Sequence, residues 1–192
     1  QEIAQRFGAA AVYAATGQPE IPPTWPACKI LWLKNHEPAV FRRTAKFLLL
    51  EDYLLFRFTG SFASDFALHT SALLREIYTG QWWGEMGDFL ELDPSRLPRL
   101  LPSGAPAGEL QPSAASALGL SPSAHPLVLT GGMDQVLGAI GAGNFTSGVV
   151  SEATGGALGI VASLETPAFD PLRLHGEAVV MRLLRQNSTL RG

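Results

Sequence analysis

Apolar positions change their spacing along the chain, from helical intervals at the start to strand-like runs near the end. Ile3, Phe7, Ala10, Ala11 and Ala14 recur every three or four residues, and Gly17 follows where a C-terminal cap belongs. This pattern predicts an amphipathic helix over residues 2–15. Prolines between Pro19 and Pro26 interrupt it. A second helix is expected over residues 27–35 and a third from Pro38 towards Ala45, because proline suits a first helical turn, where its missing N–H has no partner to lose. Residues 47–50 read as a short buried strand. Asp52 is placed to cap a further helix carrying Tyr53, Leu54, Phe56 and Arg57, with Thr59 and Gly60 ending it. Another helix is expected to hold Trp82, Trp83, Met86, Phe89 and Leu90. Twelve of the seventeen aromatic residues fall between Trp25 and Trp83, a density that reads as helix packing more economically than as a stacking surface for bases or ligands.

Residues 93–126 change character. Asp93-Pro94, Pro98, Pro102-Ser103-Gly104, Pro106, Gly108, Pro112, Pro122 and Pro126 punctuate them, leaving one short helix over 112–118 that Gly119 ends. Leu97, Leu100, Leu101 and Leu110 still require burial, so this is a packed connection and not a flexible linker. From Leu127 the pattern is a buried strand over 127–130, a tight Gly131-Gly132 turn and a small-residue helix over 133–142. Residues 149–151 and 158–162 read as two more strands, joined through Ala153-Thr154-Gly155-Gly156. A helix-rich first half with strands after residue 126 points to the α/β class.

Composition narrows the function classes. With 192 residues, 46% apolar and 16% charged, and a net charge of -3, the chain can bury a core and has no general attraction for phosphate backbones. Its fourteen basic residues are scattered apart from Arg42, Arg43 and Lys46, so no nucleic-acid partner is expected. The longest apolar run, 157–164, is too short to cross a bilayer, and no basic-then-apolar leader opens the chain. No membrane partner is expected, and a cytoplasmic location is. Cys28 is the single cysteine, which excludes an intramolecular disulfide and a cysteine-based zinc site, and the four histidines form no helical metal pair. High Gly and Pro content with little charge implies many turns and an apolar surface on which a homodimer is reasonable. A start at Gln1, without methionine and inside a helical pattern, is expected of a piece of something longer.

Asp134 is the sole acid between Glu109 and Glu152, and it follows a strand and a double glycine where a helix begins. Ligands of open α/β sheets bind at the carboxyl ends of strands. An acid there also simply complements a helix N-terminus, so position alone leaves both roles open. The Ala153–Gly156 turn is equally two-sided: its N–H groups suit an anion, and its glycines equally suit a positive φ. Gly141-Ala142-Gly143 follows a helix instead of opening one, so it is no dinucleotide fingerprint, and neither Gly-Lys-Ser/Thr nor Gly-x-Ser-x-Gly occurs.

Several segments, in order, resemble the FGGY carbohydrate kinases and most closely their xylulokinase-like members. They are Lys29-Ile30-Leu31-Trp32-Leu33-Lys34, Thr44-Ala45-Lys46-Phe47-Leu48-Leu49, Asp52-Tyr53-Leu54 with Phe58-Thr59-Gly60, and Asp65 with Thr70-Ser71-Ala72-Leu73-Leu74. Leu97-Pro98, Pro102-Ser103-Gly104 and Gly108 follow, then Thr130-Gly131-Gly132-Met133-Asp134-Gln135 with Gly138-Ala139-Ile140-Gly141-Ala142-Gly143. No one piece is specific; their order and spacing are.

The resemblance implies an actin-like ATPase (ribonuclease H-like) fold. It makes residues 1–170 part of the N-terminal kinase domain without its first phosphate-loop strand, and leaves 171–192 as a poorly matching extension. It further implies ATP-dependent phosphorylation of a sugar or polyol hydroxyl, a xylulose-like ketose favoured. Asp134 matches the family's general base and Gln135 a substrate-binding residue. Thr154, Gly155 and Gly156 match an ATP phosphate-binding loop, although Ala153 stands where a glycine is common. Mg²⁺ is implied with ATP, its associated acid belonging to an Asp-x-Gly-Thr loop that these residues lack; this chain alone is therefore expected to be inactive. Aspartates are in general ionised at pH 7, and phosphoryl transfer asks for positioning, charge stabilisation and a base that orients the nucleophile, which suits this assignment. A non-catalytic carbohydrate-binding or scaffold protein on a degenerate kinase domain is the competing expectation, motivated by Ala153 and the missing loop.

Overall fold

Gly8 divides the first predicted helix in two. Its φ of +78° is a conformation that side-chain-bearing residues rarely adopt, so α1 (Glu2–Phe7) and α2 (Ala9–Thr16) turn against each other there. Gly17 then caps α2 in the left-handed conformation, donating its N–H to Tyr13 O at 2.7 Å. The computed structural model describes residues 2–121, 123, 125–155 and 158–165. The expected extension over 171–192 and the last residue of the expected phosphate loop, Gly156, lie outside the described residues.

Helix α3 (Pro26–His36) begins on Pro26, one residue before the expected start, and α4 (Pro38–Arg43) begins on the proline that the sequence marks. The strand expected over 47–50 is not formed. Asp52 accepts the Leu49 N–H at 2.7 Å, and α5 (Leu50–Thr59) starts within the expected strand. The preceding segment is held by a side chain instead of a ladder: the Arg96 guanidinium lies 4.7 Å and 4.9 Å from the rings of Phe41 and Phe47 and donates to Thr44 O at 3.0 Å. Asp52 therefore acts from the third helical position and not as the cap itself. Gly60, φ +75°, ends α5 as expected.

Three short strands precede residue 126. β1 (Ala63–Asp65) pairs in parallel with β2 (Arg99–Leu101), placing Asp65 opposite Leu101. Between them, α6 (Gly84–Leu90) follows Trp83. β3 (Pro106–Glu109) runs antiparallel to β4 (Leu127–Leu129) with a bulge between Pro106 and Gly108, and α7 (Pro112–Ala117) lies in the connection. The chain continues into α8 (Asp134–Gly141) and then a hairpin of β5 (Val150–Thr154) and β6 (Leu158–Ala162), on which α8 packs.

Two clusters organise the packing. The larger encloses Ile3, Val12, Ile30, Leu73, Met86 and Leu90, with Phe7 4.9 Å from Trp83 and 5.5 Å from Phe89. Of the expected aromatic packing, Trp25, Phe41, Phe47, Trp82 and Trp83 join this cluster, whereas Trp32, Tyr53, Phe62 and Tyr78 are exposed. The smaller cluster joins α5 to the β1–β2 and β3–β4 sheets through Leu55, Ala63 and Ala107, with Leu101 and Val128 against it. β4 is not the buried strand its composition predicts: Val128 alone faces this cluster, while Leu127 is 56% and Leu129 50% exposed. A strand covered on one face by α5 alternates in burial, however apolar its residues. Among the described residues no helix is long and apolar enough to cross a membrane.

Candidate functional site at the carboxyl end of β4

Thr130, the residue after β4, is buried and fastened on every side. Its N–H donates to Ala105 O at 2.9 Å, its hydroxyl donates to Pro102 O at 2.7 Å, and Oγ1 accepts the Ala105 N–H at 3.0 Å. The turn that receives these bonds is itself tied inward, because the Ser103 hydroxyl donates to Asp65 Oδ2 at the end of β1. Asp65 is fully buried and its Oδ1 accepts the Ala67 N–H at 2.8 Å. A chain of hydrogen bonds thus runs from β1 to the point where β4 ends.

Gly131 needs no positive φ, so the tight glycine turn expected there is not what selects it. Its N–H donates to Glu51 Oε1 at 2.9 Å, and a Cβ at this position would stand only 3.2 Å from that oxygen. A side chain here would require the Glu51 carboxylate to yield by a few tenths of an ångström. Asp134 then opens α8, exposed to solvent, with Oδ1 accepting the Gln135 N–H at 2.8 Å. The carboxylate both complements the helix N-terminus and remains accessible to a ligand.

Gln135 extends from α8 to the hairpin, where a Cβ on Gly159 would meet its side-chain Oε1 at 3.2 Å. Gly159 pairs with Ala153, and the next pair is Thr154 with Leu158. The Gln135 side chain, next in sequence to Asp134, thus lies against the hairpin one residue pair away from Thr154. Thr154 ends β5, and Gly155 beyond it is exposed and takes no positive φ, which leaves open backbone as its contribution. Buried Asn144 fixes the unit from below, donating from Nδ2 to Ser151 Oγ at 2.9 Å and to Val161 O at 2.8 Å.

Two acids near the turn are electrostatically unusual. Burial pushes the Asp65 carboxyl above the usual carboxylate range against the opposing pull of the Ser103 hydroxyl, the Ala67 and Leu68 N–H groups and the Arg75 charge. Glu51 is also raised, first by burial and further by the charges of Asp65 and Asp52, with the Gly131 hydrogen bond opposing. A carboxyl raised in the folded state binds more protons there than in the unfolded chain, so its stabilising contribution is present at low pH and is lost as pH rises through the folded value. Asp65→Asn removes that share. The Tm of the variant relative to the parent is therefore expected to increase as pH rises from about 4, the ordinary carboxylate value, upward; thermal unfolding at a series of pH values checks it.

Residues 1–141 match the family model of the FGGY family of carbohydrate kinases, N-terminal domain. The chain belongs to this FGGY family. It is 37% identical over 120 residues to the xylulose kinase of Bacillus subtilis (strain 168), covering 62% of this chain and 24% of that protein. It is 36% identical over 121 residues to the xylulose kinase of Escherichia coli (strain K12), covering 63% and 24%. The FGGY chain thus spans about a quarter of the length of these curated relatives. The solved xylulose kinase from Rhodospirillum rubrum superposes with a TM-score of 0.81 at 26% identity, over 88% of this chain and 34% of that one. A ligand-bound xylulose kinase from Lactobacillus acidophilus gives 0.80 at 25% identity, over 89% and 34%. The α/β fold is accordingly the actin-like ATPase fold of the FGGY kinases.

Glu51, Ser103 and Asn144 do not stand out as site residues in the sequence, since each acts through a partner distant along the chain, apart from Asn144 with nearby Ser151. The sequence reads Gly131 as half of a tight turn and carries no sign of its contact with Glu51.

Proposed function

We propose that the full-length protein containing this chain transfers the γ-phosphoryl group of ATP to a hydroxyl of a sugar or polyol, a xylulose-like ketose foremost. Asp134 is the general base. Its carboxylate takes the proton of the attacking hydroxyl while that oxygen forms a bond to the γ-phosphorus and the bond to the ADP oxygen breaks, giving a phosphate ester and ADP. Gln135, adjacent on α8, offers an amide donor and acceptor to the substrate's other hydroxyls. Thr154 and Gly155 offer backbone to the phosphates, with Gly156 continuing the loop. Residues 1–170 belong in this reading to the substrate-side domain and 171–192 to an extension.

The observation that carries the reading is the Gln135–Gly159 contact, which sets the acid-bearing start of α8 against the strand pair that leads to Thr154. Mg²⁺ neutralises phosphate charge when it accompanies ATP. Among the described residues no group of three His, Cys, Asp or Glu side chains converges to hold a metal ion.

The test is a panel of ketopentoses, aldoses and polyols presented with Mg-ATP to the full-length protein, reading ADP release. Xylulose is expected to give the highest kcat/KM of the panel. Saturable sugar binding without ADP release from any member would instead favour the carbohydrate-binding protein.

A further inference from the structure

Glu51 immediately precedes the Asp52-Tyr53-Leu54 segment and lies eighty residues from the turn it touches. Its own anchorage is firm. Leu55, one turn further along α5, is buried against Ala63 and Ala107, and Asp52, which accepts the Leu49 N–H, faces the buried His69 Nε2 at 3.4 Å. The start of α5 is thus a fixed point from which the Glu51 side chain reaches out.

That side chain meets Gly131 over its whole carboxylate. A Cβ at Gly131 would lie 3.2 Å from Oε1, 3.6 Å from Cδ and 4.0 Å from Oε2, and Oε1 accepts the Gly131 N–H at 2.9 Å. On the upstream side of Gly131, Thr130 is locked by Pro102 and Ala105. Downstream, Met133 O accepts the Leu137 N–H at 2.9 Å in the first helical bond, and Asp134 follows. Among the bonds just described, the one to Glu51 ties the intervening segment to the body of the fold. A charge-assisted bond of this kind holds geometry better than a neutral one.

We propose that Glu51 is a positioning residue, holding the Gly131–Met133 segment so that the Asp134 carboxylate stands where the substrate hydroxyl presents its proton. This rests on the reading of Asp134 as general base. The Glu51 carboxyl, raised by burial and by the neighbouring Asp65 and Asp52 charges, is the kind of group for which one well-placed N–H matters. Misplacement of a reacting group by a fraction of a bond length is enough to slow a reaction severely.

The test uses steady-state kinetics of the full-length protein. Glu51→Ala is expected to lower kcat about tenfold while KM for sugar and for ATP stays within about twofold, the pattern of an interaction that matters in the transition state. Glu51→Gln recovers most of that loss, because an amide carbonyl still accepts the Gly131 N–H. Gly131→Ala, which crowds the same carboxylate, lowers kcat comparably and adds little on top of Glu51→Ala, since both remove one contact. Should Glu51→Ala fail to fold, Gly131→Ala decides by the same split of kcat from KM. The proposal is overturned if Glu51→Ala keeps kcat within about twofold, if Glu51→Gln is as slow as Glu51→Ala, or if the losses of Glu51→Ala and Gly131→Ala multiply. Asp134→Asn assayed beside them separates the two readings. If it abolishes turnover while Glu51→Ala does not slow it, the positioning role alone falls; if it leaves turnover intact, the base assignment falls first.

Discussion

Asp134→Asn in the full-length protein is expected to reduce kcat for sugar phosphorylation by about 10²- to 10⁴-fold, the range that a positioned general base contributes. Asparagine keeps the shape of the side chain and an oxygen that can accept the Gln135 N–H, the one hydrogen bond that Asp134 Oδ1 makes at the start of α8. It cannot accept the proton of the attacking hydroxyl. Substrate binding should change far less than turnover, because the hydrogen-bonding surface is nearly preserved, and Tm should shift little because the residue is exposed. ADP release measured against sugar concentration separates the two parameters. Turnover that survives within a few-fold would mean that the acid serves only the helix terminus.

Leu90→Ala is expected to act in the opposite way, destabilising the fold by about 2–5 kcal/mol while leaving the chemistry alone. Leu90 is fully buried in the larger cluster, which also holds Met86 and Trp83 and against which Phe7 and Phe89 pack. Those aromatic and helical neighbours are held from several directions, so the space vacated is expected to remain largely unfilled. The site instead rests on the smaller cluster around Leu55, Ala63 and Ala107, to which Leu90 does not belong. Denaturant unfolding should show the loss as a lower midpoint, and kcat below the unfolding range should match that of the parent. A fall in kcat at a temperature where the variant remains folded would show that the two clusters are coupled.

These two outcomes reflect how differently the parts could be read in advance. Helix starts at Pro38 and Pro112, and helix ends at Gly17 and Gly60, were legible because a fixed φ or a left-handed conformation is a property of one residue and its near neighbours. Local context singles out Asp134 and the resemblance adds Gln135, and the structure puts Asp134 at the exposed start of α8. The stretch 47–50 misled because an apolar run has no period of its own; Asp52 and Arg96 decided its conformation, one by capping from within a helix and the other by reaching across from residue 96.

By itself the sequence determined where the chain can bend, which segments can bury a face, and which acid follows the strand and double glycine. Tertiary structure alone decided that β1 pairs with β2, that β4 is covered on one side only, that Ser103 bonds to Asp65, and that Gln135 lies over Gly159. It also decided that the glycine at 131 makes room for Glu51. The physical reason is range. Backbone preference acts within about one turn, whereas a hydrogen bond between residues eighty positions apart exists only after α5 and β4 have packed on the same cluster.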